Sequence, residues 1–134
     1  MSFSKFKKLS VSENPSQSIF INKSKGHIHG VLKVFQIQDG EFIVVYCPSL
    51  NITGYGKTVD EAESMFKDSI NDYFESLMVL KKEAIDSELS LLGWDHGYFA
   101  KRYENKAFID KQGVLKNFEL PKDTPIKEKL IEVA

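Results

Sequence analysis

Four groupings of residues have types and spacings that could do chemistry. His27 and His29 are two apart, so on a strand both rings leave the same face, a spacing that can hold a metal ion. A metal site needs a third ligand and usually a fourth, and none of matching spacing accompanies the pair; His96 lies far along the chain. Polar histidines at the start of a strand are the simpler reading, and neither a metal nor a cofactor is expected. Cys47 ends an apolar run. A nucleophilic cysteine needs a neighbouring base and an electropositive setting, and the sequence shows neither, so a small buried side chain is expected. Gly54-x-Gly56-Lys57-Thr58 looks like the end of a phosphate-binding loop, but Ser49-Leu50-Asn51-Ile52-Thr53 before it lacks the first glycine of that motif. The carboxylates between Asp60 and Glu75 fall on an exposed helix face with no apolar pocket to raise a pKa. Nothing in this set argues for an enzyme, and the expected activity is binding.

The composition narrows the class of binder. One cysteine in 134 residues excludes a disulfide framework and a CxxC redox or zinc motif. The chain is 42% hydrophobic and 28% charged, as in a folded globular domain. Its longest apolar run is far too short to span a bilayer, and the first residues hold no apolar signal segment, so an intracellular, cytoplasmic protein is expected. The net charge of -1 gives no global pull toward nucleic acid. Charge is uneven along the chain, however: residues 1–26 carry net +4, residues 57–92 net -5. The acidic middle is either a solvated helix face or a surface for a basic partner.

The elements that must position these residues read as strands first, then helix. The opening up to about Ser18 is polar and broken by Pro15, and reads as irregular. Ser18–Ile21 is a short strand candidate. Residues 28–38 are rich in β-formers, with Val31, Lys33, Phe35 and Ile37 on one face and Leu32 and Val34 on the other. Asp39-Gly40 then signals a hairpin, and Phe42–Cys47 reads as a central strand stopped by Pro48. Ile52–Gly56 reads as a third strand, its glycines marking a bend or a close approach. Thr58-Val59-Asp60-Glu61 fits a capping box, with the Thr58 hydroxyl accepting from the third helical amide and the Glu61 carboxylate reaching back to the cap amide. The helix it opens carries Ala62, Phe66, Ile70, Tyr73 and Leu77 as one apolar stripe. A break is expected near residues 84–87, with a short helix from Glu88 to Leu92, Gly93 as its cap and Trp94 folding back onto the core. Beyond that, Tyr98–Ala100, Ala107–Ile109 and Val114–Leu120 are strand candidates, and Ile126–Val133 reads as a helical turn or two. Of the sixteen aromatics, Tyr55 is the one expected at the surface.

The run Phe42–Leu50, then Thr53-Gly54-Tyr55-Gly56-Lys57-Thr58, then Glu61-Ala62 and a helix ending in Tyr73-Phe74-Glu75, resembles the HicB antitoxin family and its stand-alone relatives. The resemblance covers roughly residues 28–78, and Leu91-Leu92-Gly93-Trp94 is similar to a feature of longer members. It implies an α+β fold with a β-β-β-α core: an antiparallel three-stranded sheet, open to extension by C-terminal strands, on one main helix, as in part of a double-stranded-RNA-binding domain. It further implies self-association and the masking of a small basic ribonuclease toxin, HicA. Residues 95–134 show no helix-turn-helix or ribbon-helix-helix pattern, so operator DNA binding is not expected.

On this reading the chain divides into a basic extension (residues 1–26), a HicB-like domain (27–94) and a C-terminal extension (95–134). Gly54, Gly56, Thr58, Glu61 and Ala62 form the fold motif of bend, cap and close packing. Asp60, Glu63, Asp68 and Glu75 are the expected toxin-facing surface. Two other classes stay open: a small nucleic-acid-binding module using the sheet, Tyr55 and the basic N-terminus, and a dimerisation or ligand-sensing domain whose edge strand pairs with a second copy.

Overall fold

The computed structural model describes residues 16–96, 102–107 and 109–133, and the backbone of 6–9. In chain order these form β1 (Phe6–Leu9), β2 (Gln17–Asn22), β3 (His27–Asp39), β4 (Phe42–Cys47), β5 (Ile52–Gly56), α1 (Val59–Met78), α2 (Lys82–Leu91), β6 (Asp95–His96), β7 (Arg102–Asn105), α3 (Lys111–Asn117) and β8 (Ile126–Val133). The fold is α+β, with all the strands in one antiparallel sheet.

β3 organises the sheet. Its thirteen residues exceed what any one neighbour can cover. β8 runs along one edge, from Gly30↔Val133 to Ile37↔Ile126. On the other edge β2 pairs with residues 27–31 and β4 with residues 35–39. Between them Lys33 is left facing an empty position in the ladder. Its amide donates instead to the side-chain carbonyl of Gln17 at 3.0 Å, and the Ser49 hydroxyl donates to the same oxygen at 2.7 Å. One glutamine thus satisfies the main-chain group that the split edge would orphan. Away from β3, β2 continues through β7 to β6, β4 continues to β5, and β1 flanks β8.

The two faces of the sheet bury different helices. On one face Ile28, Leu32, Val34, Val45 and Cys47 meet α1 and α2 through Ala62, Phe66, Ile70, Phe74, Leu77, Ile85 and Leu89. Each large side chain buried there contributes roughly 1.5–3 kcal/mol of transfer free energy. On the other, Phe35 and Ile37 meet Val114 and Leu115 of α3, with Val44, Tyr46 and Ile126 at the margin. Leu32 and Val34 thus face α1 and α2 while Phe35 and Ile37 face α3, the division of faces expected from the sequence.

The hairpin, the three successive strands and the Gly93 cap stand where the sequence put them. Gly40, at φ 61, takes the first position of the two-residue loop Gly40-Glu41, the residue a II′ turn requires. At the end of α2 the Gly93 amide donates to Ser90 and that of Trp94 to Leu89, a Schellman pair. Trp94 is buried, and its indole donates to the Ser49 carbonyl at 2.7 Å.

Other elements differ from expectation. The apolar stripe of α1 uses Phe74 rather than Tyr73, which is half-buried on its flank. The break falls at Val79–Lys81 instead of residues 84–87. A continuous helix would turn Lys81, Ala84 and Glu88 toward the core and carry Ile85 and Leu89 off it. Restarting at Lys82 resets the phase and buries both, while the Lys23 ammonium donates to the Leu80 carbonyl freed at the joint. The polar opening holds β1, and residues 17–22 form the inner strand β2. Of the strand candidate 114–120, residues 114–117 lie in the helix α3, launched by the Asp110 carboxylate on the Gly113 amide at 2.8 Å, and residues 118–120 follow its end. Ile126–Val133 is a strand, held between β1 and β3. The sheet therefore has eight strands among the described residues: the three expected, the C-terminal extension left open for them (β6, β7 and β8), and β1 and β2 from the N-terminal side. The strand in the 97–109 region is Arg102–Asn105, and the candidate Tyr98–Ala100 lies outside the described residues, as does Phe108.

The stabilities of three variants check this account. Gln17→Leu removes the acceptor shared by Lys33 and Ser49 and should cost roughly 1–3 kcal/mol in chemical denaturation. Thr58→Ala should cost about 1 kcal/mol, and Gly54→Ala at least about 2 kcal/mol, because its new Cβ would meet the Phe66 nitrogen at 2.4 Å and the Ala62 carbonyl at 2.6 Å. Equal losses at residues 54 and 58 would show that α1 does not lie this close to β5.

Candidate functional site

α1 is seated by the predicted motif. Thr58 is extended at φ -124 and ψ 162 and its hydroxyl accepts from the Glu61 amide at 3.1 Å. The Glu61 carboxylate reaches the Lys57 amide at 2.9 Å, one residue before the cap amide expected to receive it. Gly54 and Gly56 have no room for a Cβ: at Gly56 it would stand 2.5 Å from the Cβ of Glu61. Their role is close approach, and Ala62 is fully buried at the same contact.

This seating decides which acids face outward. Asp60, Asp68 and Glu75 are exposed, and so is Asp72, which the sequence reading passed over. No described residue forms an ion pair with any of the four. Glu63 is placed differently. It is half-buried on the inner flank of α1 and pairs with Lys129 of β8 at 3.6 Å. Lys129 also donates to the Gln36 side chain of β3. The opposite flank, above the outer edge of β5, carries Glu61, Met65, Asp68 and Asp72, three or four residues apart and all exposed.

Beside this flank lies an aromatic surface. Tyr55 is 55% exposed as expected, but Phe42 at 40% and Phe118 at 38% are exposed too. Phe42 and Tyr55 meet edge-to-face at 6.4 Å, and Phe118 meets Tyr46 at 4.9 Å. Register places Phe42, Val44, Tyr46 and Tyr55 on the sheet face opposite α1. Phe42 was legible as the first residue after a hairpin loop, where burial is least. Phe118 was not, because its position depends on α3.

The other chemical candidates resolve into structure. His27 and His29 do share a face, their nearest ring nitrogens 3.3 Å apart, and Phe20 stacks on His29 at 4.9 Å. Burial, and next the neighbouring His27, hold the His29 pKa below its usual value. His96 pairs with Tyr103, which pairs with Ile19, so it lies on the α1 face of the sheet and away from the other two. No group of three or more metal-ligating side chains occurs among the described residues. Cys47 is fully buried, its sulfur 3.4 Å from the Ser49 hydroxyl, and burial pushes its thiol up to about 11. A cavity of about 50 Å³ at the split edge is lined by Gln17, Lys33, Ser49 and Asn105. Gln17 and Ser49 are bonded to each other there, and Asn105 bridges the Leu92 carbonyl and the Ala107 amide. The first contact ties β2 to the turn after β4, and the second ties β7 to the end of α2.

Among the described residues no helix is long and apolar enough to cross a membrane. Comparison with protein-family models, with characterised proteins and with solved structures finds no match.

The state of Cys47 is testable. The folded chain should leave it unmodified by a soluble disulfide reagent at pH 8, with full reaction on unfolding. The folded thiol keeps its proton to about 11 against 9.0 for the free group. Its contribution to stability is thus complete below pH 9 and is lost as the pH rises through 11. Rapid modification of the native protein would contradict this burial.

Proposed function

We propose that this chain is a HicB-like antitoxin or regulator that binds and neutralises a small basic ribonuclease toxin, HicA-like, by protein–protein contact. One observation carries the reading: Asp60, Asp68, Asp72 and Glu75 stand exposed on α1 without a basic partner among the described residues. An uncompensated row of one sign steers a partner of the other sign and orients it on arrival. The family resemblance supplies the kind of partner. Glu63 is left out of the proposed contact because Lys129 already holds it.

A nucleic-acid reading would rest on Tyr55 as a stacking platform. The acids on the flank of α1 above the edge of β5, Glu61, Asp68 and Asp72, repel phosphate, which favours a protein partner.

The reading predicts a short basic protein encoded beside this chain's gene, and the test is co-expression with it. The two should co-purify, and the complex should not cleave RNA. Replacing Asp60, Asp68, Asp72 and Glu75 together by lysine should weaken the complex at least tenfold with the melting temperature unchanged. Glu63→Lys should instead lower the melting temperature. A complex indifferent to the fourfold reversal rejects this surface.

A further inference from the structure

Three features meet along the outer edge of β5. The first is main chain. The two-residue hairpin loop puts Phe42, Val44 and Tyr46 in hydrogen-bonded pairs with β3, so Ile43, Val45 and Cys47 turn their amides to β5. Thr53 and Tyr55, opposite Tyr46 and Val44, therefore aim their N–H and C=O groups away from the sheet. Two contacts agree with this parity. The Tyr55 amide is met from outside by the Met65 sulfur at 3.4 Å, and the Lys57 amide by the Glu61 carboxylate at 2.9 Å. Thioether sulfur is a weak acceptor on a flexible stem, so a carbonyl can displace it. A carboxylate is a strong acceptor, and it closes the edge at Lys57. The stretch open to a new strand is Thr53–Tyr55.

The second feature is charge. Asp68 and Asp72 stand on the flank of α1 above this edge. The third is apolar area, for Tyr55 and Phe42 lie exposed on the opposite face of the sheet. A strand laid here sends alternate side chains to opposite faces, one set toward the acids and the other beside the aromatic pair.

We infer that the outer edge of β5 receives an extended segment of a basic partner protein as an added antiparallel strand, with lysine or arginine alternating with apolar residues. This deepens the proposed function and rests on it: the partner is the same, and the mode of contact is added. A second copy of the chain suits the edge less well. Pairing β5 with its twofold mate would set two acidic α1 flanks side by side, and like charges in that position oppose association. In strand addition the main-chain bonds supply affinity and the alternate side chains supply specificity.

The probe is the acetylated, amidated hexapeptide Lys-Val-Lys-Val-Lys-Val, titrated into the full chain and followed by amide NMR shifts and hydrogen exchange. The expected result is a shift and slowed exchange at Thr53 and Tyr55. Binding should fall at least tenfold when alternate peptide amides are N-methylated, which keeps charge and apolar content but forbids a ladder. It should fall as far in Thr53→Pro, which removes an outward N–H that no sheet bond uses, and in the double variant Asp68→Lys, Asp72→Lys. Equal binding of the N-methylated peptide, or shifts confined to the surface around Asp60 and Glu75, would overturn strand addition while leaving the acidic-face reading to the co-purification test. Slowed exchange at Thr53 that grows with protein concentration in the absence of peptide would assign the edge to a second copy and also overturn it. Should Thr53→Pro fail to fold, the two peptides on the unaltered chain still decide.

Discussion

Every main-chain amide in a buried strand needs an acceptor, and β3 shows how far that demand shapes this molecule. The strand is served on one edge by β8 and on the other by two strands that stop short of each other. The gap spans residues 32–34, of which Lys33 turns its amide to that edge, and a side-chain carbonyl from the start of β2 takes it. Because Gln17 also takes the Ser49 hydroxyl, and the Ser49 carbonyl takes the Trp94 indole, the junction ties β2, β4 and the segment after α2 to one point. The α1 face is assembled around that tie. What α1 displays to solvent follows from what it must bury and from the two glycines that let it settle on β5.

How much of this was legible depended on the range of the interaction. Features determined within four or five residues could be read directly: the glycine in the Gly40-Glu41 loop, the Thr58 cap and the Gly93 terminator. Features set by distant partners could not. β8 reads locally as charged residues between apolar ones because Glu128 answers Lys33 of β3, and Lys129 answers Glu63 of α1 and Gln36 of β3. Val114 and Leu115 suit a strand by type, and become helical because Asp110 caps them and Phe35 and Ile37 offer an apolar floor. The joint between α1 and α2 contains neither glycine nor proline; only the phase of the core-facing residues calls for it.

The candidate surface was legible to the same degree and for the same reason. That α1 would carry acids outward followed from its apolar period. Which acids remain available did not, because Glu63 is removed from the set by a lysine sixty-six positions later in the chain, and Asp72 joins it by the pitch of the helix over β5. The two flanks of α1 are thereby unequal. The inner one is neutralised inside the molecule, and the outer one keeps its field.

The placement of β8 also has a bearing on how the chain is made. Ribosomes deliver residues in order, so β3 leaves the exit tunnel well before β8, the strand that completes its far side. Until it arrives, the middle of the sheet presents a bare flank of unpaired amides and carbonyls, and the N-terminal strand that should sit beyond it has nothing to join. A chain cut short before β8 would therefore keep a sticky interior strand with no partner on that flank.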